Sequence, residues 1–95
     1  MRKGNEYWRK APPRSKMKVN IITPDNVLYA GENVYLVQLP GIDGSFEVMN
    51  NHAPLISVLV KGKVKLQKKG EDPQFFDING GVIEVLDNKI LILAE

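Results

Sequence analysis

Residues 79–94, Asn79-Gly80-Gly81-Val82-Ile83-Glu84-Val85-Leu86-Asp87-Asn88-Lys89-Ile90-Leu91-Ile92-Leu93-Ala94, decide how the rest of the chain is read. A Gly-Gly turn opens an apolar run from Val82 to Leu86, and Asp87-Asn88 returns it as a second run from Lys89 to Ala94. Both turns use residues that tolerate positive φ, so the segment predicts a tight β-hairpin. Its second strand, Ile90 to Leu93, is apolar on both faces and is expected in the centre of a sheet. The same grammar holds upstream. Gly70-Glu71-Asp72-Pro73 turns the chain into Phe75 to Ile78, and Val64 and Leu66 alternate with Lys63, Lys65 and Gln67, which predicts one buried and one lysine-coated face. Farther back, Val19 to Thr23 stops at Pro24-Asp25-Asn26. Val27 to Tyr29 and Asn33 to Leu39 follow, separated by Ala30-Gly31-Glu32 and closed by Pro40-Gly41. No segment carries a helical period, and there is no internal repeat. The expectation is an all-β fold, a small β-sandwich of about eight to ten short strands.

At 95 residues, 43% hydrophobic and 25% charged, the composition is that of one globular domain with a single small core. The net charge of +2 is unevenly placed. Residues 1–16 carry Arg2, Lys3, Arg9, Lys10, Arg14 and Lys16 against Glu6, a net +5, while residues 17–95 hold seven lysines against ten acids, a net −3. Ala11-Pro12-Pro13-Arg14-Ser15 has linker composition, since its prolines remove backbone donors. Residues 1–16 are therefore expected to form a flexible basic extension, non-native or upstream of a true start at Met17, and residues 17–95 the domain. A basic arm for nucleic acid or an acidic membrane, with Tyr7 and Trp8 as stacking residues, is the functional alternative for the extension. The longest apolar run, Leu55 to Val60 with one serine, is far shorter than the roughly 20 residues that span a bilayer.

Most catalytic chemistry lacks its residues. Cysteine is absent and His52 is the lone histidine, so a Cys/His zinc site cannot be built, and no metal or cofactor is expected. There is no phosphate-binding loop, no dinucleotide fingerprint, and no nucleophile-elbow pattern around Ser45 or Ser57. His52 follows Asn50 and Asn51 and precedes Ala53-Pro54, so it is read as hydrogen-bonding a loop backbone rather than as a titrating switch.

The stretch Gly41-Ile42-Asp43-Gly44-Ser45-Phe46-Glu47-Val48-Met49-Asn50-Asn51-His52-Ala53-Pro54-Leu55 resembles the signature loop of the epsilon subunit of rotary F-type ATP synthases. Ile22-Thr23-Pro24-Asp25 with Gly31-Glu32, then Leu39-Pro40-Gly41, then Asn79 to Val85 with Asp87-Asn88-Lys89 and Leu93-Ala94-Glu95 agree in order and spacing, from Met17 to Glu95. The resemblance implies a non-catalytic rotor part. It would dock on the gamma subunit and on the membrane-embedded, proton-driven ring of c subunits, passing torque to the alpha and beta subunits. By position, Thr23, His52 and Ser57 would face gamma, and Ser45 with Gly44 and Met49 would face the ring. The implied location is the cytoplasmic face of a bacterial inner membrane, peripheral through the complex and without insertion into lipid. This chain departs from the common pattern at Ser45, Glu47 and Asn50, where the family often has Glu, Gly and Pro. It also stops where most of the family continues into a two-helix hairpin, so ATP binding and inhibition by an extending arm are not expected of it.

The competing reading is a small β-barrel that binds nucleic acid through Lys61, Lys63, Lys65, Lys68 and Lys69 with Phe75 and Phe76. The net acidic body argues against it, and adjacent phenylalanines on a strand point to opposite faces, so one belongs to the core.

Overall fold

The computed structural model describes residues 16–95, so the expected basic extension, Lys16 apart, lies outside the described residues. Eight strands follow in order: β1 Met17–Ile22, β2 Val27–Gly41, β3 Gly44–Met49, β4 Leu55–Leu59, β5 Gly62–Lys68, β6 Gln74–Ile78, β7 Gly81–Leu86 and β8 Lys89–Ala94. The β7–β8 hairpin forms as its turn chemistry dictates, with Asp87 at φ 50° and Asn88 at φ 60°.

The strands make one continuous sheet folded into two layers by β2, which belongs to both. The N-terminal half of β2 pairs with β1, β1 runs parallel to β8, and β8, β7 and β4 continue the first layer antiparallel. The C-terminal half of β2 lies between β3 and β5, and β6 completes the second layer. Inward residues of both layers merge into one core: Met17, Val19, Ile21, Ile83, Val85, Ile90 and Ile92 from the first, and Val37, Leu39, Val48, Val64, Leu66 and Ile78 from the second. Among the described residues, no polar or charged residue is fully buried in the core. Its strict alternation fixes register, because a one-residue slip would turn every strand inside out.

One sequence expectation is corrected in detail. Ala30-Gly31-Glu32 does not interrupt β2, which runs unbroken for 15 residues. Gly31 pairs with Val19, and the Tyr29 ring lies over it, so a Cβ at residue 31 would come within 2.5 Å of the tyrosine oxygen. Here glycine permits close approach and does not mark a turn. The irregularity falls instead at residues 33–35, with Asn33 at φ 65°: the register with β1 shifts between Gly31 and Val34 and that with β5 between Val34 and Leu36, where β2 passes from one layer to the other. The central place expected of β8 is borne out. It lies between β1 and β7, yet its apolar outer side is uncovered, with Leu93 48% exposed.

Candidate docking surface

Alternation assigns a face to every residue of the first layer. In β4, Leu55, Ser57 and Leu59 point inward, while Ile56 and Val58 point out and are 73% and 50% exposed. Across the sheet, Val58 pairs with Val82, Val82 with Leu93, and Leu93 with Ile22, a row of four apolar side chains on the outer face. The next row is Ile56, Glu84, Leu91 and Asn20. With Val58, Val82 and Leu93 exposed and Ile22 half-buried beside them, the first row is a contiguous apolar patch, of the kind that marks an interaction surface.

The outer face of the second layer differs. It presents Glu47, Gln38, Lys65 and Phe75 in one row, and beside them Lys63 bonded to Asp77 at 2.8 Å. Both members of that ion pair are well exposed, so it contributes little to stability. Alternating acids and bases leave no continuous basic track, and Phe76 turns inward to meet Tyr29 at 5.5 Å between ring centroids. The lysines of β5 read best as a solvated face, and nothing in this layer supports nucleic-acid binding.

The residues singled out from the sequence occupy three places. Thr23 follows β1 and closes the Pro24-Asp25 turn: its Oγ1 accepts the Asn26 N–H at 3.0 Å and donates to the Asn26 carbonyl at 3.2 Å. Ser57 lies mid-strand on β4, its Oγ donating to the Val58 carbonyl at 3.5 Å, on the side of the strand opposite the apolar row. His52 lies in the loop before β4, beyond the Leu55–Val85 pair and therefore toward the other end of the sheet from Thr23. Three strand spacings separate β1 from β4, about 15 Å. Thr23, Ser57 and His52 thus form no cluster. Gly44, at φ 122°, and Ser45 lie at the β2–β3 hairpin, where Ser45 Oγ accepts a bond from Gln38 Nε2 at 3.3 Å. Met49 shares Ser45's face but ends the same strand four residues later, about 13 Å away. Its carbonyl accepts the His52 N–H at 3.1 Å, so the backbone joins Met49 to the His52 loop rather than to the hairpin.

His52 Nδ1 lies 2.8 Å from the Ala53 carbonyl. A carbonyl only accepts, so Nδ1 carries the proton, and the histidine makes the loop-backbone bond expected of it. The partner that sequence reading missed is Asn88. Its Oδ1 accepts the Asn51 N–H at 2.7 Å, its Nδ2 donates to Asn50 Oδ1 at 2.7 Å, and its carbonyl accepts the Lys18 N–H at 3.0 Å. One turn residue thereby fixes the loop that carries His52. The residues it joins are 37 and 38 positions apart, and no local pattern announces that pairing.

Comparison with known proteins agrees with this architecture. The family described as ATP synthase, delta/epsilon chain, β-sandwich domain matches residues 16–95. The ATP synthase epsilon chain of Chlorobium limicola is 42% identical over 78 residues, covering 82% of this chain and 88% of that protein. That of Caulobacter vibrioides is 41% identical over 81 residues, covering 85% and 92%. The epsilon chain of Leptospira interrogans is 40% identical over 81 residues, and there the match spans 85% of this chain but 62% of the relative. Among solved structures, a chain of the Euglena gracilis mitochondrial ATP synthase superposes with a TM-score of 0.77 at 17% identity, over 84% of this chain and 51% of that one. A chain of the Tetrahymena thermophila central stalk and c-ring gives 0.68 at 22%, over 82% and 62%. These two show the shared fold. With the family matched over all the described residues and relatives near two-fifths identical, the chain belongs to the ATP synthase delta/epsilon β-sandwich family, among its epsilon chains.

Proposed function

We propose that the chain is a non-catalytic central-stalk subunit of a proton-translocating F-type ATP synthase, linking the gamma subunit to the membrane rotor ring at the cytoplasmic face of a bacterial inner membrane. Family membership supports this reading, and the apolar row Val58, Val82, Leu93 and Ile22 carries it physically. That row belongs to a domain whose opposite layer is polar, so one broad side is suited to a protein partner and the other to solvent. In this reading gamma covers the β4 side, with Thr23, Ser57 and His52 in its footprint. The ring meets the β2–β3 hairpin through Gly44 and Ser45, with Met49 on the same face. A small domain with a modest core gains stability from such docking as well as position.

The test is a calorimetric titration of the purified gamma subunit with the chain, its Ser57→Arg and His52→Glu variants, and Lys63→Ala from the polar layer. The reading predicts binding by the parent chain, at least about tenfold weakening by the first two variants, and little change from the third. Absence of binding by the parent chain, or equal weakening by Lys63→Ala, would contradict it.

A further inference from the structure

Among the described residues, four strand edges lack a full neighbour: the N-terminal half of β2, β3, β6, and β4 before Leu59. Proteins normally protect such edges with charge, proline or irregularity. The first carries Glu32 and the Asn33 irregularity, β3 carries Glu47, and β6 carries Asp77 with Pro73 just before it. β4, Leu55-Ile56-Ser57-Val58-Leu59, has no charge, no internal proline and no irregular residue.

The direction of its amides follows from two hydrogen bonds. The Val58 carbonyl accepts the Ile42 N–H at 3.1 Å, and the Val60 N–H donates to the Pro40 carbonyl at 2.8 Å, so the backbone groups of even-numbered residues point away from β7. By the two-residue period of a strand, the Ile56 N–H and carbonyl and the Val58 N–H point the same way. Among the described residues, β4 pairs in the sheet with β7 and through the single Gly41–Leu59 pair, so these three groups have no described strand beside them. Pro54, which lacks an N–H, bounds the open stretch on one side and Ile42 bounds it on the other. The side chains flanking the open amides are Ile56 and Val58, the two most exposed apolar residues next to the Val82–Leu93 row.

We propose that the chain binds gamma by strand addition: an extended segment of gamma, apolar at alternate positions, pairs with the Ile56–Val58 edge and extends the first layer. This rests on the gamma-docking reading above and specifies its mode. Main-chain bonds would supply register, and alternate apolar side chains of the added strand would lie about 5 Å from Ile56 and Val58, continuing the apolar row.

Amide hydrogen exchange of the isotope-labelled chain, read residue by residue by NMR with and without purified gamma, tests the proposal. The Ile56 and Val58 amides are expected to exchange rapidly in the free chain and to slow by at least about 100-fold in the complex. The Ser45 and Glu47 amides, outward on the β3 edge by the same alternation, are expected to change less than about twofold. Ile56→Pro removes one outward donor where an edge strand tolerates proline, and it is expected to weaken gamma at least about tenfold with the other amides' exchange pattern retained. Gamma binding that leaves Ile56 and Val58 unprotected, or protects the β3 edge instead, would overturn strand addition while leaving the docking reading intact. Protection of both amides in the chain alone at high concentration, with self-association, would mean that the edge pairs with a second copy and would equally overturn it. Failure of gamma to bind at all would overturn the docking reading, and strand addition with it. The exchange measurement on the parent chain decides even if the proline variant does not fold.

Discussion

Asn88 does the work of several residues. It holds φ 60° in the hairpin turn, ties Asn50 and Asn51, and receives the Lys18 amide through its carbonyl. Asn88→Ala would put a side chain that disfavours positive φ in the turn and leave the Asn51 amide without its acceptor. Chemical denaturation is expected to show a loss of about 2 kcal/mol. Asn88→Gly, which relieves the φ cost but not the lost bonds, should restore only part of it. Gly81 is constrained in a different way. At φ 149° it also has the Leu93 carbonyl oxygen only 2.2 Å from where a Cβ would stand. Because that obstacle is the backbone of a central strand, Gly81→Ala should cost several kcal/mol, about 3 or more, and thermal unfolding would reveal it as a large drop in Tm.

Within a single strand, neighbouring residues carry opposite consequences. Ile83 on β7 is fully buried between the layers, and Ile83→Ala should destabilise by about 3 kcal/mol through lost burial and the cavity left behind. Ile56→Ala, on the exposed side of the adjacent strand, should change stability by no more than about 0.5 kcal/mol and show its effect in partner binding instead. Comparing the two by denaturant midpoint and by affinity for gamma separates core from surface. What could be read from the sequence follows the same local logic. The β7–β8 hairpin was legible because Asp87-Asn88 and the flanking apolar runs are neighbours in sequence. The continuity of β2 was not, because what lets Gly31 remain in a strand is Val19 across the sheet and the Tyr29 ring above it. The sequence reading singled out Ser57 on β4, yet the residues of that strand that present an apolar surface are Ile56 and Val58. That distinction requires knowing which side of β4 the core covers. Likewise Met49 and Ser45 share a face by simple alternation, while the bond from His52 to Met49 emerges only when the chain folds back.

At the scale of the molecule, the two layers divide the labour. The second layer faces outward with Glu47, Gln38, Lys65, the Lys63–Asp77 pair and a single exposed aromatic, Phe75. The first layer faces outward with Val58, Val82 and Leu93, and keeps the uncharged β4 edge open beside them. Such a surface is of the kind that a partner covers in an assembly. In the proposed stalk role, gamma takes the first layer and the rotor ring takes the hairpin end. A single domain can then couple two partners without chemistry of its own. The most direct measurement is to capture the chain with its partners from detergent-solubilised membranes of its source and identify the retained proteins by mass spectrometry. Alongside it, a Val58→Glu, Leu93→Glu double variant is carried through the same capture. Recovery of gamma with alpha and beta by the parent chain, lost with the double variant, is the predicted result. Retention of nucleic-acid-associated proteins without synthase subunits, or undiminished recovery of gamma by the double variant, would contradict the account.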